Sequence, residues 1–154
     1  MIFLLLWALG LVVGIITAAS DPSIRTLQSI AYNLLFYQMV ITIPLIGTIC
    51  FIGHVFKSDH IAAKNGWPKG NLFQKELGMA QVGWAIAGIS SIWFRGSWTA
   101  IILIFSPMFI GAALIHFIDM IRNRNAKPGN PVIIFADVLV PLSLIALSIL
   151  ARIW

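Results

Sequence analysis

Five long apolar runs divide the chain, at about residues 2–19, 30–56, 72–94, 98–121 and 132–151. None of them alternates apolar and polar residues with the period of two that a half-buried strand requires. About 20 apolar residues rising roughly 1.5 Å each suffice to cross a hydrocarbon core about 30 Å thick. The expectation is therefore an all-α, polytopic membrane protein. Its single domain, 1–154, would hold five transmembrane helices, an antiparallel four-helix core over 30–151 with an N-terminal helix packed outside. Pro44 and Pro141 fall inside spans, where neighbouring helices and hydroxyl side chains can satisfy the freed carbonyls. The first run, IFLLLWALGLVVGIITAA, lacks the basic n-region of a secretory leader and is expected to stay as a helix of the mature protein. Gly10 and Gly14 give it a small-residue face for close helix contact. Gly78, Ala80, Gly83, Ala85, Ala87 and Gly88 make the third helix small on many sides, which predicts a central helix with several neighbours.

Composition strengthens the membrane reading. The chain is 60% hydrophobic and 10% charged, where a soluble domain carries about a quarter charged residues, and its mean hydropathy is +0.96. The formal net charge of +5 would suggest nucleic acid in a soluble protein. Here the basic residues flank apolar runs, where they meet phospholipid headgroups, so the partner they indicate is the lipid bilayer and not nucleic acid. With five spans, Lys57, Lys64, Lys69, Lys75, Arg122, Arg124 and Lys127 share one side, against Arg25, Arg95 and Arg152 on the other. Seven against three puts the N-terminus in the cytoplasm and the C-terminus outside, in a cell (inner) membrane. Trp93, Trp98 and Trp154 would then line the outer interface, and Trp67 the inner one. The lone Cys50 sits in an apolar run and cannot form an internal disulfide.

One stretch breaks the apolar pattern. Gly53 to Glu76 (GHVFKSDHIAAKNGWPKGNLFQKE) holds four of the five lysines, two of the three histidines and two of the five acids. Much of this is loop chemistry. Ser58 or Asp59 can cap a short turn that Gly66 ends, Trp67-Pro68 restarts the chain, and Asn71-x-x-Gln74 resembles a capping box. Other ionisable residues are harder to dismiss. His54 and Glu76 lie at the membrane boundary on consecutive helices, and His116 and Asp119 share a face of the fourth. Asp137 and His116 lie at matched depths, each six residues inside its helix, or roughly 9 Å. Ionisable groups in a span cost roughly 2.5–3.5 kcal/mol each even on the lenient insertion scale, so they normally face one another inside the bundle. A His116–Asp137 pair is expected. So is one cytoplasm-facing cavity bounded by His54, Glu76, His116, Asp119 and Asp137, with Trp67 on its rim.

Three readings of that cluster stay open. It is a structural network fixing helix register, or a site for a ligand, quinone or proton, or a metal site. In the last, His54, His116, Glu76 and Asp137 would be the candidate ligands of a divalent ion, although no His-x-x-x-His or Glu-x-x-His spacing occurs. No P-loop, glycine-rich dinucleotide turn, Cys-x-x-Cys or nucleophile motif is present, so the sequence names no enzymatic reaction.

The series Gly53-His54-x-Phe56, Gly66-Trp67-Pro68-x-Gly70-x-x-Phe73-Gln74-x-Glu76-x-Gly78, His116, Lys127-Pro128-Gly129-Asn130 and Asp137 resembles a family of small prokaryotic membrane proteins without an assigned function. More distantly, the order of features is similar to the DoxX-like four-helix membrane proteins, some of which are subunits of quinone-linked oxidoreductases. That resemblance implies a helical bundle and favours the quinone reading, while transferring no catalytic residue. The expected function is a small membrane protein acting as a ligand-binding or redox-associated subunit, alone, self-associated or with other membrane subunits. The alternatives are a proton-coupled transporter and a structural accessory subunit.

Overall fold

The structure, a computed structural model, describes residues 2–154. Among them there are helices and turns but no strands. The helices are α1 (Ile2–Ser20), α2 (Leu27–Phe56), the short α3 (Ser58–Asn65), α4 (Leu72–Ser90), α5 (Trp98–Arg122) and α6 (Gly129–Leu150). α1, α2, α5 and α6 are long and apolar enough to cross a membrane. α4 is not counted with them. Gln74, Lys75, Glu76 and Gln81, together with three glycines, dilute its hydropathy.

Boundaries differ from the hydrophobic pattern where caps decide them. α2 begins at Leu27, three residues early, because Thr26 and Ser29 form a reciprocal capping box. α4 stops at Ser90, where Ser90 and Ser91 turn their hydroxyls back onto the Ala87 carbonyl. Ser91 and the apolar residues 92–94 then belong to the turn into α5.

The core is built where α2, α5 and α6 meet. Leu35, Met39, Ile43, Ile46, Ile102, Phe105, Val140 and Leu144 are fully buried there, with Trp84 of α4 set against Phe105 and Phe109. Trp98 belongs to this core as well. Tyr32 and Phe36 cover its ring, its Nε1–H donates to the Ser91 carbonyl, and 1% of its surface is exposed, so it is not the interfacial ring expected. Trp93 and Trp154 are exposed.

α4 is peripheral, not central. Its buried residues, Gly78, Gln81, Trp84 and Gly88, make one stripe at helical spacing, and that stripe lies mainly along α2. The small residues are used for close approach on that one side. A Cβ on Gly78 would sit 3.0 Å from His54 Cβ, whereas one on Gly83 would meet nothing. α1 lies outside the core, with only Gly10 and Gly14 buried.

α2 is not uniformly α-helical. Two wide π-turns interrupt it, at Gln38–Thr42 and at Ile52–Phe56, a deviation that often accompanies a functional position. From the first, Gln38 Nε2 donates to the Trp7 carbonyl and Thr42 Oγ1 to the Leu6 carbonyl, so this turn holds α1. Trp7 Nε1 donates in turn to Ser143 Oγ on α6 at 2.9 Å. The second turn carries His54.

Candidate functional site

The loops after α2 and α5 meet at one end of the bundle, referred to below as the loop end. α3 finishes at Gly66, whose φ of 77° is left-handed backbone that a side chain would strain. A Cβ there would also press within 2.8 Å of the Asn125 amide. The turn is closed by the Trp67 N–H donating to the Ala62 carbonyl at 2.8 Å. This sends the Trp67 side chain back over α5, where its ring stacks on His116 with centroids 4.7 Å apart and planes 20° from parallel. Gly-Trp-Pro is thus a local device for laying an indole on a histidine.

Asp119, one turn beyond His116, receives that indole. Its Oδ2 accepts from Trp67 Nε1 at 3.0 Å and Asn125 Nδ2 at 2.6 Å, and its Oδ1 from Asn123 Nδ2 at 2.7 Å. Asn130 Nδ2 adds a longer bond at 3.4 Å. The turn after α5 passes through left-handed backbone at Arg124, φ 51°. Such a conformation is costly for a side-chain-bearing residue and persists where its surroundings over-determine it. Here the amides of Asn123 and Asn125, on either side, are both fixed on Asp119. The same amides join the two loops, since Asn125 Nδ2 also donates to the Asn65 carbonyl at 2.6 Å.

His116 is buried and hydrogen-bonds through Nδ1 to Asn130 Oδ1 at 2.7 Å. An amide oxygen only accepts, so Nδ1 carries the proton and Nε2 is the free lone pair of the neutral ring. His54 makes the equivalent bond across α2 and α4, from Nδ1 to Gln81 Oε1 at 2.8 Å.

These bonds place the expected site residues in separate settings. Trp67, His116 and Asp119 form one connected group, and His54 is engaged with Gln81. Glu76 is exposed, and no hydrogen bond ties it to the others. The expected His116–Asp137 pair is not formed. Asn130, at the start of α6, reaches His116 instead, and Asp137 Oδ1 is buried without a partner. Among the described residues, no three His, Cys, Asp or Glu side chains group so as to hold a metal ion. The candidate ligands His54, His116, Glu76 and Asp137 are therefore not brought together around one point: the two imidazoles bond to different amides on different helices, and Glu76 is exposed.

Neutral amides, not ionisable groups alone, hold this end together. Asn65, Asn123, Asn125 and Asn130 are four of the chain's six asparagines, and all four lie in or beside the two loops. That clustering was the available signal. Beside the network, Trp67, Ile115, Ile118, Asp119, Arg122 and Asn123 line an open hollow of about 420 Å³. Its floor is apolar and its rim carries one acid, one base and one amide.

The family of unknown function DUF6790 matches residues 1–153. The chain belongs to this family. No curated protein and no solved structure matches it. Membership agrees with the expected kinship to an uncharacterised family and assigns no reaction to the DUF6790 chain.

Proposed function

We propose that this DUF6790 protein is a multi-pass inner-membrane subunit that binds an amphipathic, quinone-type ligand at the hollow beside Trp67 and Asp119. In this reading α4 completes five spans around an antiparallel core, and the loop end faces the cytoplasm. The supporting observation is the hollow itself. Ile115 and Ile118 offer an apolar floor continuous with the lipid-facing side of α5, while Arg122 and Asn123 offer donors at its mouth. A quinone ring needs an apolar slot, an aromatic face and donors for its carbonyls, all of which this rim can supply. The DoxX-like order of features favours the same ligand class.

Titration of the purified protein with a short-chain ubiquinone analogue, read by quenching of tryptophan fluorescence, tests the reading. Saturable quenching is expected, with the saturable part lost in Trp67→Phe and the apparent Kd raised about tenfold in Arg122→Gln. Linear quenching that is identical in both variants would reject the site.

A second reading, a structural accessory subunit, is favoured by the four side-chain donors already on Asp119. The two readings separate on Trp67→Phe, which a scaffold would register as lower stability without any change in quinone binding.

The proposed orientation has its own test. With Cys50 replaced, a cysteine at Lys127 is expected to resist an impermeant external thiol reagent in intact cells, and one at Gly96 to react. The opposite pattern would turn the loop end outward.

A further inference from the structure

A second hollow lies at the opposite end of the bundle, where the turns after α1 and α4 meet the C-terminal turn. This open hollow of about 540 Å³ is lined by Tyr32, Phe36, Tyr37, Ser29 and Arg95, among others. Arg95 stands on the short turn before α5, with its guanidinium 5.0 Å from the Phe36 ring centre and 6.0 Å from that of Tyr32. Its hydrogen bond within the chain is long, 3.5 Å to the Tyr32 hydroxyl. The one acid at this end, Asp21, is occupied elsewhere, since Ser23 donates to it from both hydroxyl and backbone N–H. Those two bonds hold the Asp21 carboxyl below its ordinary pKa. Among the described residues, Arg95 therefore has no carboxylate side chain paired with it.

The neighbouring polar groups sort by whether they are already used. Thr26 and Ser29 satisfy one another in the cap of α2, and Asn33 Nδ2 is spent on the Gly14 carbonyl. The Tyr32 and Tyr37 hydroxyl protons remain available. One guanidinium and two phenol donors around an open, half-apolar hollow make a receptor for an oxyanion joined to something apolar. The Phe36 and Tyr32 rings orient the exposed guanidinium at the edge of the hollow.

We propose that this hollow binds a phosphate-bearing headgroup, with Arg95 as the charged donor and the hydroxyls of Tyr32 and Tyr37 as neutral ones. The inference rests on the membrane embedding proposed above, which sets this end at the headgroup level, and not on the quinone site. The phosphate has two possible sources, an anionic phospholipid of the surrounding leaflet or free inorganic phosphate, and both present the same oxyanion.

The test is thermal unfolding of the detergent-purified protein during separate titrations with phosphatidylglycerol, diacylglycerol and inorganic phosphate. Phosphatidylglycerol is expected to raise the melting temperature saturably, and diacylglycerol to leave it unchanged. Arg95→Gln should weaken the half-saturation point about tenfold or more, and Tyr37→Phe by a smaller factor. Arg25→Gln should leave it unchanged. A shift with inorganic phosphate that is equally sensitive to Arg95 would support the same receptor with the free anion as its source. Equal shifts from diacylglycerol, shifts indifferent to both Arg95→Gln and Tyr37→Phe, or no shift with either phosphate compound would overturn the proposal. These half-saturation points are read relative to each variant's own baseline and involve no loop-end residue, so the loop-end reading can fail without affecting this one.

Discussion

Gly47→Ala is expected to destabilise the protein by about 2–3 kcal/mol, although it adds a single methyl group. The added carbon would lie 2.6 Å from the Ala85 backbone nitrogen and 2.9 Å from the Gln81 carbonyl oxygen. Backbone atoms of a helix cannot swing aside as a side-chain tip can, so α4 must move away from α2 as a body. Gly88 makes the reciprocal contact, where a Cβ would sit 2.8 Å from the Pro44 nitrogen and 3.0 Å from the Met39 carbonyl oxygen. If α4 is embedded beside α2 as proposed, close packing is a principal source of adhesion between them, which makes a lost contact of this kind expensive. The same displacement would pull Gln81 from His54. Melting in detergent measures the loss, and Gly83→Ala is the control, because that position faces open space. Equal melting temperatures for Gly47→Ala and Gly83→Ala would show that the two helices do not approach as closely as described.

This interface shows what the residue pattern can and cannot reveal. Glycines and alanines in residues 78–88 announced close packing, and the structure places some of them against α2. They did not announce that one face only would be used, since small residues look alike on every side of a helix. The apolar runs likewise marked α1, α2, α5 and α6 as helices long and apolar enough to cross a membrane, because length and hydropathy are properties of the segment itself. Trp98 was misplaced because a tryptophan near the end of an apolar run suits a membrane interface and a core equally well. Its burial depends on Tyr32 and Phe36 arriving from another helix.

At the loop end, the local part was legible and the long-range part was not. Gly66 ending a turn and Asn71 capping α4, by accepting from the Phe73 N–H, follow from neighbouring residues. The stack of Trp67 on His116 joins residues about fifty positions apart and depends on how two loops meet. Matched depth suggested His116–Asp137, but depth fixes only one of the coordinates a contact needs. Rotation about the helix axis is another, and Asn130 is the residue that the start of α6 presents to the imidazole.

Asp137→Leu is expected to leave the folded protein as stable as before or to stabilise it by about 1–3 kcal/mol. Asp137 is 2% exposed and its Oδ1 accepts nothing, so the wild-type chain bears the desolvation of a carboxyl group without the bonds that would offset it. A leucine of similar reach removes that cost and adds apolar contacts. His116→Ala should instead destabilise, by leaving the Asn130 oxygen unpaired in a dry site, and its loss should be non-additive with that of Asn130→Ala by about 1 kcal/mol. His116→Ala and Asp137→Leu should be additive. Thermal melts of the three single and two double variants check all three statements. A large loss in Asp137→Leu, or coupling of Asp137 to His116, would mean that a bond to this carboxylate is present after all. With the expected result, the chain retains an acid that its fold does not need. Ionisable groups kept inside a span at a cost to stability commonly mark proton and ion paths. That outcome would favour the proton-coupled carrier over the structural subunit, and proton uptake by reconstituted vesicles, compared between wild type and Asp137→Leu, would then separate a carrier from a binding subunit.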